Sequence, residues 1–367
     1  MIDCDFIHSE SIAREIRTDA RCGSDPRSDV SPESQYYQLK DKRRSLRDAE
    51  RSALMSDEES APMLSEWMQL AEDIHQALSN DTKDLEYAAW LIEALCRTSG
   101  FAGLTVAFDC ARVLIERFWD DLYPQPDEDG LETRIAPLIG LNGYEGDGAL
   151  ISPILSIPLV TSGSEQGIAT WQYIRASEQS RKDDSKKHQS EHSVSLETIV
   201  QAVSEAPTEH FIGLLSDIEQ AIAAFGTLSQ AMDQAMGGVP QPTSAILKAM
   251  HQCKDTVHYL TKDKLAAYHA EHEEIDREST EEAEAGNGET APLARQVQTR
   301  QQVIQSLQEA ANFFRKTEPH SPMSYALEQI IHWSGLALPE LLQELIDDTT
   351  SRNQFFRLTG INKDSGN

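Results

Sequence analysis

The sequence is poor in basic and in aromatic residues. Of its 367 residues, 32 are lysine or arginine against 61 acidic ones, the formal net charge is −29, and only 7% are aromatic. Binding to nucleic acid requires clustered Lys and Arg facing phosphates, and an anionic membrane leaflet repels an acidic surface in the same way. We therefore expect a partner that is neither nucleic acid nor a membrane surface.

Cysteine and long apolar segments are also scarce. The chain has five scattered cysteines and no CxxC pair, which is typical of a reduced protein without a disulfide framework. The first ten residues, MIDCDFIHSE, lack the basic start and apolar core of a secretory signal or a transit peptide. No apolar run approaches the roughly 18 residues that a membrane-spanning helix needs. We expect a cytoplasmic protein without membrane insertion.

The short motifs of common enzyme classes are absent from the sequence, among them GxxxxGK[ST], GxSxG and HExxH. Two histidine pairs are the nearest approach to a metal site: His188 and His192 in a polar segment, and His251 and His258 on the flank of a predicted helix. The first pair has no third ligand beside it, and the second pair lies near Cys253 on what we read as a polar flank, so we favour solvated polar residues over metal ligands for both. We predict no enzyme and no cofactor, with a metal-dependent hydrolase using His251, His258 and a loop carboxylate as the alternative.

Helical periodicity dominates the rest of the chain. Apolar residues recur at three-and-four spacing, which places them on one helix face. These stripes run over 64–78, 85–96, 104–118, 211–232, 246–260, 303–314 and 323–331. The short GFAG connection between the second and third stripes predicts an antiparallel hairpin, with Asn80 and Asp81 as cap candidates before it. We predict an all-α protein built from antiparallel helical hairpins. At most a short strand pair is expected near 150–165, where an ordered loop is the alternative.

Charge and composition divide the chain into blocks. Residues 177–193 contain no apolar residue, and residues 271–290 hold nine acidic residues and one basic residue. We predict an N-terminal helical domain over 1–176, a middle helical block over 194–265, an acidic linker over 266–294 and a C-terminal helical domain over 295–367. The net charge is −20 over residues 1–270, −8 over 271–290 and −1 over 291–367.

Two further charge patterns have alternative interpretations. Arg43, Arg47 and Arg51 follow each other at four-residue steps on a predicted helix, and like charges at that spacing disfavour an isolated helix. They either pair with carboxylates of this chain or line a contact with a partner. The acidic runs at 120–121 and 127–129 match no EF-hand loop, so solvated acids are favoured over a cation site.

One long stretch resembles a known family. The segment from Asn80 to Gly143 is similar to the ImpA-type N-terminal domain of TssA proteins of the bacterial type VI secretion system. The segments Gly23–Arg27 and Phe314–Pro322 also resemble parts of that family. The matching motif positions are Lys83, Asp84, Leu85, Gly100, Phe101, Gly103, Leu104, Phe118, Trp119, Leu122, Tyr123, Pro124, Arg134, Leu141, Asn142 and Gly143. Phe101 stands where many members carry Leu. Of these positions, Lys83, Asp84, Trp119, Tyr123, Pro124 and Arg134 are expected to be structural or to contact a partner.

The resemblance implies a non-enzymatic assembly protein. TssA proteins form ring-like homo-oligomers through the C-terminal domain, contact the baseplate, the inner tube (Hcp) and the sheath, and prime or cap polymerisation of the contractile tail. The implied location is the cytoplasm, with recruitment to the inner-membrane-docked apparatus through protein contacts. A TssA-like accessory protein that stops and holds the distal end of the sheath is the alternative within the resemblance.

The C-terminal block suits self-association, because subunits that repel each other can meet only where their charge is small. Residues 291–367 are nearly neutral and rich in aromatic side chains. The candidate interface residues are Phe314, Arg315, Glu318, His320, Tyr325 and Trp333.

Overall fold

A computed structural model describes residues 4, 6–56, 63–128, 130–144, 146, 148–161, 167–182, 194–284, 307, 311, 315 and 323–335. The prediction of a mostly helical protein is confirmed. The helices are α1 (Ser9–Ile12), α2 (Gln35–Ser56), α3 (Leu64–Asn80), α4 (Leu85–Phe118), α5 (Leu131–Asn142), α6 (Ile151–Leu155), α7 (Thr170–Lys182), α8 (Leu196–Glu205), α9 (Thr208–Ala235), α10 (Ser244–Glu284) and α11 (Met323–Gly335).

Helix α4 is the predicted antiparallel hairpin. Its backbone leaves the helical region at Gly100, with φ 60° and ψ −135°, a conformation that favours glycine. The two ends of α4 come back together, because the Leu85 amide donates a 2.8 Å hydrogen bond to the Tyr123 carbonyl. At the bend, a Cβ built on Gly103 would lie 2.5 Å from the Leu95 carbonyl oxygen, so the two arms touch with no room for a side chain.

The cap at the start of α4 differs from the sequence prediction. The N-cap is Asp84, whose Oδ1 accepts hydrogen bonds from the Glu86 amide at 2.8 Å and the Tyr87 amide at 3.1 Å. Asn80 and Asp81 instead belong to the end of α3, where Asn80 is the last helical residue and Asp81 the C-cap. The prediction of a cap at Asn80 or Asp81 is therefore wrong by three or four positions, because α3 continues further than its apolar stripe.

The blocks predicted at 1–176 and 194–265 share one hydrophobic core. Helix α9 packs along α4, where the Phe108 and Phe225 rings lie 4.9 Å apart between centroids. The Asn142 side chain, although far from α10 in the sequence, caps this helix. Its Oδ1 accepts hydrogen bonds from the Ala245 and Ile246 amides at 2.9 and 3.0 Å. One compact unit therefore comprises Met1–Thr280, and a second comprises Glu281–Asn367. The polar segment at 177–193 is thus an interruption within a unit and not a domain boundary.

The predicted strand pair is present. Strands β1 (Pro158–Thr161) and β2 (Gly167–Ala169) are antiparallel, with Pro158 opposite Ala169 and Thr161 opposite Gly167. Helix α10 corrects the expected linker, because its backbone is helical as far as Glu284. Glu and Ala dominate that segment, and both are good helix formers even without a core to face. Residues 285–294 of the expected linker lie outside the described residues.

Two described helices, α4 and α9, are long and apolar enough to cross a membrane by length and composition alone. The expectation that no apolar segment reaches that length was thus too strong. In α4, 72% of the apolar window is buried inside the fold, and the bend at Gly100 divides the helix into two shorter arms. In α9, 39% of the window is buried. The packing of α9 against α4 accounts for the apolar character of both helices.

Candidate interaction site

Three segments that carry the motif residues meet at one backbone junction. The Lys83 amide donates to the Cys22 carbonyl at 2.9 Å, and the Tyr123 amide donates to the Lys83 carbonyl at 3.1 Å. Gly23 pairs with Thr82 as an isolated bridge, and Asp84 pairs with Tyr123. The segment before α2, the start of α4 and the end of α4 are therefore joined through main-chain hydrogen bonds that need no partner molecule.

Lys83 lies at the centre of this junction and has no exposed surface. Its Nζ donates a hydrogen bond to the Leu78 carbonyl at 2.5 Å and lies 5.4 Å from the centroid of the Phe118 ring. Among the described residues, no carboxylate lies within ion-pair distance of this ammonium. Burial lowers the pKa of Lys83 from its usual 10.5 to about 8. The side chain stabilises the end of α3 from inside the fold and is inaccessible to a partner.

Next to Lys83, a charged cluster connects the segment before α2 to α4. The Arg27 guanidinium donates to Asp84 Oδ2 and to Glu86 Oε2, both at 2.6 Å. The Tyr36 hydroxyl donates to Glu86 Oε2 at 3.0 Å, and the Arg27 guanidinium lies 5.1 Å from the centroid of the Tyr36 ring. Burial alone lowers the pKa of Arg27, but the hydrogen bonds and charges of Asp84 and Glu86 outweigh it and raise that pKa.

Arg134 fixes the loop that follows α4. Its guanidinium donates to the Trp119 carbonyl, to the Pro124 carbonyl at 3.2 Å and to Gln125 Oε1 at 3.1 Å. The same group lies 5.4 Å from the centroid of the Trp119 ring. Arg134 is buried, whereas Trp119, Tyr123 and Pro124 are half-buried. Because Arg134 is buried and holds three oxygens of the loop, its geometry favours a structural role, while the half-buried residues retain surface for a partner.

Of the three arginines at four-residue steps, Arg43 makes a close ion pair within the chain, and Arg47 and Arg51 lie at longer distances from its carboxylates. Arg43 binds the fully buried carboxylate of Glu93 with two hydrogen bonds of 2.6 and 2.8 Å. Arg47 lies 3.8 Å from the same carboxylate, and Arg51 lies 3.7 Å from Asp48. Burial of Glu93 requires a cation beside it, because an unpaired buried charge is strongly destabilising. Arg43 therefore attaches α2 to α4.

A different set of cations occupies the outer face of α2. Positions 40, 44, 47 and 51 recur at spacings of four, three and four, which places them along one side of a helix. We call Lys40, Arg44, Arg47 and Arg51 the basic stripe. The side chains of Arg44 and Arg51 keep 81% and 64% of their surface exposed. The set predicted from four-residue steps contains Arg43, Arg47 and Arg51 and does not include Lys40 and Arg44. A search for Lys and Arg at three- and four-residue spacing would have found both.

The candidate interface residues of the C-terminal block are only partly described. Phe314, Glu318 and His320 lie outside the described residues. Arg315 forms a 2.6 Å ion pair with Glu328, and Trp333 is half-buried. On α11, Tyr325 is 63% exposed and Ile330 is 47% exposed. These are two large apolar side chains with exposed surface on one 13-residue helix.

The residues considered for metal binding do not come together. His188 and His192 lie outside the described residues, and His251 and His258 are both exposed on α10. His251 lines an open groove of about 430 Å³ between α7 and α10, together with Tyr173, Ile174, Lys248, Gln252, Asp255, Thr256 and Tyr259. Within the described part of the chain, no three His, Cys, Asp or Glu side chains are placed to hold a metal ion. All five cysteines, Cys4, Cys22, Cys96, Cys110 and Cys253, are buried, and none of them forms a disulfide bond.

Comparison with known proteins finds a similarity in the N-terminal part of the chain. Residues 13–143 match the model of the ImpA N-terminal family of the type VI secretion system. These residues are similar to the conserved ImpA N-terminal region of TssA proteins. Its fold is similar to that of the N-terminal domain of the TssA component from Burkholderia cenocepacia, with a TM-score of 0.58 and 19% identity over 72% of this chain and 98% of the other. No curated protein matched the sequence.

Both the buried junction and the basic stripe lie within the range that matches the family model. The matched range holds the buried junction around Lys83 and the whole of α2 with the basic stripe. It ends at Gly143, one residue after the asparagine that caps α10. Three contributors were missed by motif reasoning: Glu86, Glu93 and the capping role of Asn142. An acid in an otherwise apolar helix arm, as at Glu93, is the sequence signal that indicates a buried ion pair.

Proposed function

We propose that this chain is a non-enzymatic assembly protein of the type VI secretion system that associates with the baseplate and primes or caps polymerisation of the tail tube and sheath. The observation that carries the proposal is the match of residues 13–143 to the ImpA N-terminal family. The internal contacts of the motif residues support it, since Lys83, Asp84 and Arg134 bind other parts of the same domain and form a scaffold.

Self-association belongs to the second unit in this proposal. Residues 291–367 carry a net charge of −1, whereas residues 1–270 carry −20. Copies of the first unit therefore repel each other, and copies of the C-terminal block do not. The exposed Tyr325 and Ile330 of α11 supply apolar surface for the contact. The chain acts in the cytoplasm and is recruited to the secretion apparatus through protein contacts.

Light scattering on three purified proteins tests the oligomer. The full chain and residues 281–367 are expected to form oligomers at micromolar concentration, whereas residues 1–280, which contain their own core, are expected to be monomeric. Exchange of Tyr325 and Ile330 for Ser is expected to shift the full chain toward monomer. A monomeric full chain, or an oligomer formed by residues 1–280 alone, contradicts the proposal.

Imaging of a fluorescent fusion tests the role at the baseplate. The fusion is expected to mark the site where the sheath begins to grow, together with the baseplate. A fusion that appears only at the arrested distal end would instead support the accessory role of stopping and holding the sheath. A diffuse signal in cells that assemble sheaths would contradict both roles.

A further inference from the structure

The basic stripe reverses the sign of the charge on an otherwise acidic protein. Helix α2 contains six basic and three acidic residues, in a chain with 32 basic and 61 acidic residues. Two of the six, Lys42 and Arg43, are used inside the fold, at 3.0 Å from Asp73 and 2.6 Å from Glu93. The four that remain form the basic stripe on the outer face of the helix.

The described residues of this chain do not neutralise the stripe. Arg44 and Arg51 share one carboxylate, that of Asp48, at 3.8 and 3.7 Å, both longer than a hydrogen bond. Arg47 lies 3.8 Å from Glu93, whose two oxygens already accept hydrogen bonds from Arg43. Lys40 contacts the Tyr36 hydroxyl at 3.3 Å and the face of the Tyr36 ring. Like charges at three- and four-residue steps disfavour the helix, so the stripe is an unfavourable arrangement in the isolated chain.

We propose that the basic stripe of α2 is a docking surface for an acidic helical segment of a partner protein, one with Asp or Glu in a row along one face. This inference rests on the proposed function and names the chemistry of one partner of the assembly. Charge complementarity carries it. A carboxylate row with spacings of four, three and four lies opposite Lys40, Arg44, Arg47 and Arg51 when two helices pack side by side, and each guanidinium binds a carboxylate with paired hydrogen bonds.

A short protein segment suits the stripe better than an extended polyanion. The Debye length is about 8 Å at physiological ionic strength, so a segment lying on α2 senses mainly the stripe. A DNA duplex or an anionic vesicle extends over the surrounding surface, where residues 1–270 carry a net charge of −20. The negative charge of this surrounding surface therefore repels both the DNA duplex and the anionic vesicle.

Two peptides of identical composition test the geometry. Both are alanine-based helices with four glutamates; in one the glutamates are spaced four, three and four, and in the other they are distributed around the helix. Fluorescence anisotropy with the full chain at low salt is expected to show about tenfold tighter binding of the first peptide, because only that peptide pairs all four charges. Equal affinities for the two peptides would overturn the proposal.

Charge reversal locates the binding surface. The variant Arg44→Glu/Arg51→Glu is expected to lose at least about tenfold in affinity for the row peptide. The matched control is Lys248→Glu/Lys262→Glu, which changes the net charge equally at two exposed lysines of α10 and is expected to lose about twofold or less. An equal loss in both variants would show a non-specific field effect and overturn the proposal.

Three other probes test the identity of the occupant. Duplex DNA and phosphatidylserine vesicles are expected to bind weakly and with no dependence on Arg44 and Arg51, and strong dependent binding of either would overturn the assignment to a protein. A peptide of residues 271–284 that binds more tightly than the row peptide would assign the stripe to this chain's own acidic segment instead. Failure of the oligomer test would remove the proposed function but leave these affinities unchanged, so the two failures are distinguishable.

Discussion

The buried ammonium of Lys83 predicts an unusual dependence of stability on pH. Burial lowers the pKa of Lys83 to about 8 in the folded chain, whereas the unfolded chain returns it to 10.5. Between these two values the unfolded state binds a proton that the folded state has released. The Lys83 contribution to the free energy of unfolding therefore rises with pH across this window, which is the reverse of what an ion-paired lysine produces.

The magnitude follows from the two pKa values. A shift of one pKa unit corresponds to about 1.4 kcal/mol, so the charged Lys83 destabilises the fold by about 3 kcal/mol at pH 7. At pH 9.5 the folded-state amine is mostly neutral and more than half of that destabilisation has disappeared. The contribution of Lys83 therefore increases by about 2 kcal/mol between pH 7 and pH 9.5.

The perturbation that isolates this effect is Lys83→Met, which keeps the length of the side chain and removes the titrating group. Urea unfolding of wild type and variant at several pH values gives the difference in the free energy of unfolding at each pH. The variant also leaves the Leu78 carbonyl without its donor, which costs about 1–3 kcal/mol at every pH. The effect of the buried ammonium is therefore measured by how the difference in the free energy of unfolding changes with pH, and not by its value at one pH.

Two results complete the test. Wild type is expected to gain about 2 kcal/mol relative to Lys83→Met between pH 7 and pH 9.5, whereas exposed Lys262→Met is expected to run parallel to wild type. The buried thiol of Cys22 acts with the opposite sign, because burial raises its pKa to about 11, but it is present in all three proteins. If the free energies of unfolding of wild type and Lys83→Met changed with pH in parallel, the conclusion that the Lys83 ammonium is desolvated and unpaired would be refuted.

Three further predictions concern stability, each measured by urea unfolding. Arg43→Met leaves Glu93 buried without its main partner and is expected to lose about 3–5 kcal/mol, whereas the exposed Arg51→Met loses less than about 1 kcal/mol; equal losses would contradict the buried pair. Gly103→Ala is expected to lose about 1–3 kcal/mol because its Cβ would meet the Leu95 carbonyl at 2.5 Å, whereas Gly213→Ala, with open space around its Cβ, gains up to about 1 kcal/mol. Asn142→Ala removes the cap of α10 and is expected to lose about 1 kcal/mol; an unchanged stability would show that the cap is dispensable.

The local architecture follows from sequence patterns. Apolar residues at helical spacing predict α3, α4, α9 and the first half of α10, and the GFAG connection predicts the bend in α4. These features depend on the nearest few residues along the chain, which a sequence displays directly. The strand pair near β1 is predicted only as an option, because a short apolar run suits a strand and an ordered loop equally well.

Long-range partners could not be predicted from the same patterns. Glu93 receives Arg43 from fifty positions away, and Asn142 caps a helix that begins more than a hundred positions later. The sequence does not indicate which residues pair over such distances, because any of the many acidic residues could form an ion pair with a given arginine. The polar segment at 177–193 likewise predicts a domain boundary, because its composition does not show that α9, which follows it in the sequence, packs against α4, which precedes it.

Variants of the buried motif residues and variants of the basic stripe are expected to have different effects. Lys83, Asp84 and Arg134 are buried, so changes there alter the free energy of unfolding and reach partners only through loss of the fold. The basic stripe is outside the core, and changes at Arg44 or Arg51 alter affinity with little effect on stability. Because exposed ion pairs are screened by salt and the buried Arg43–Glu93 pair is screened much less, raising the ionic strength should weaken peptide binding to the stripe while the urea midpoint changes little. A loss of both together would mean that α2 detaches from α4, and that the stripe is presented only when the Arg43–Glu93 pair is intact.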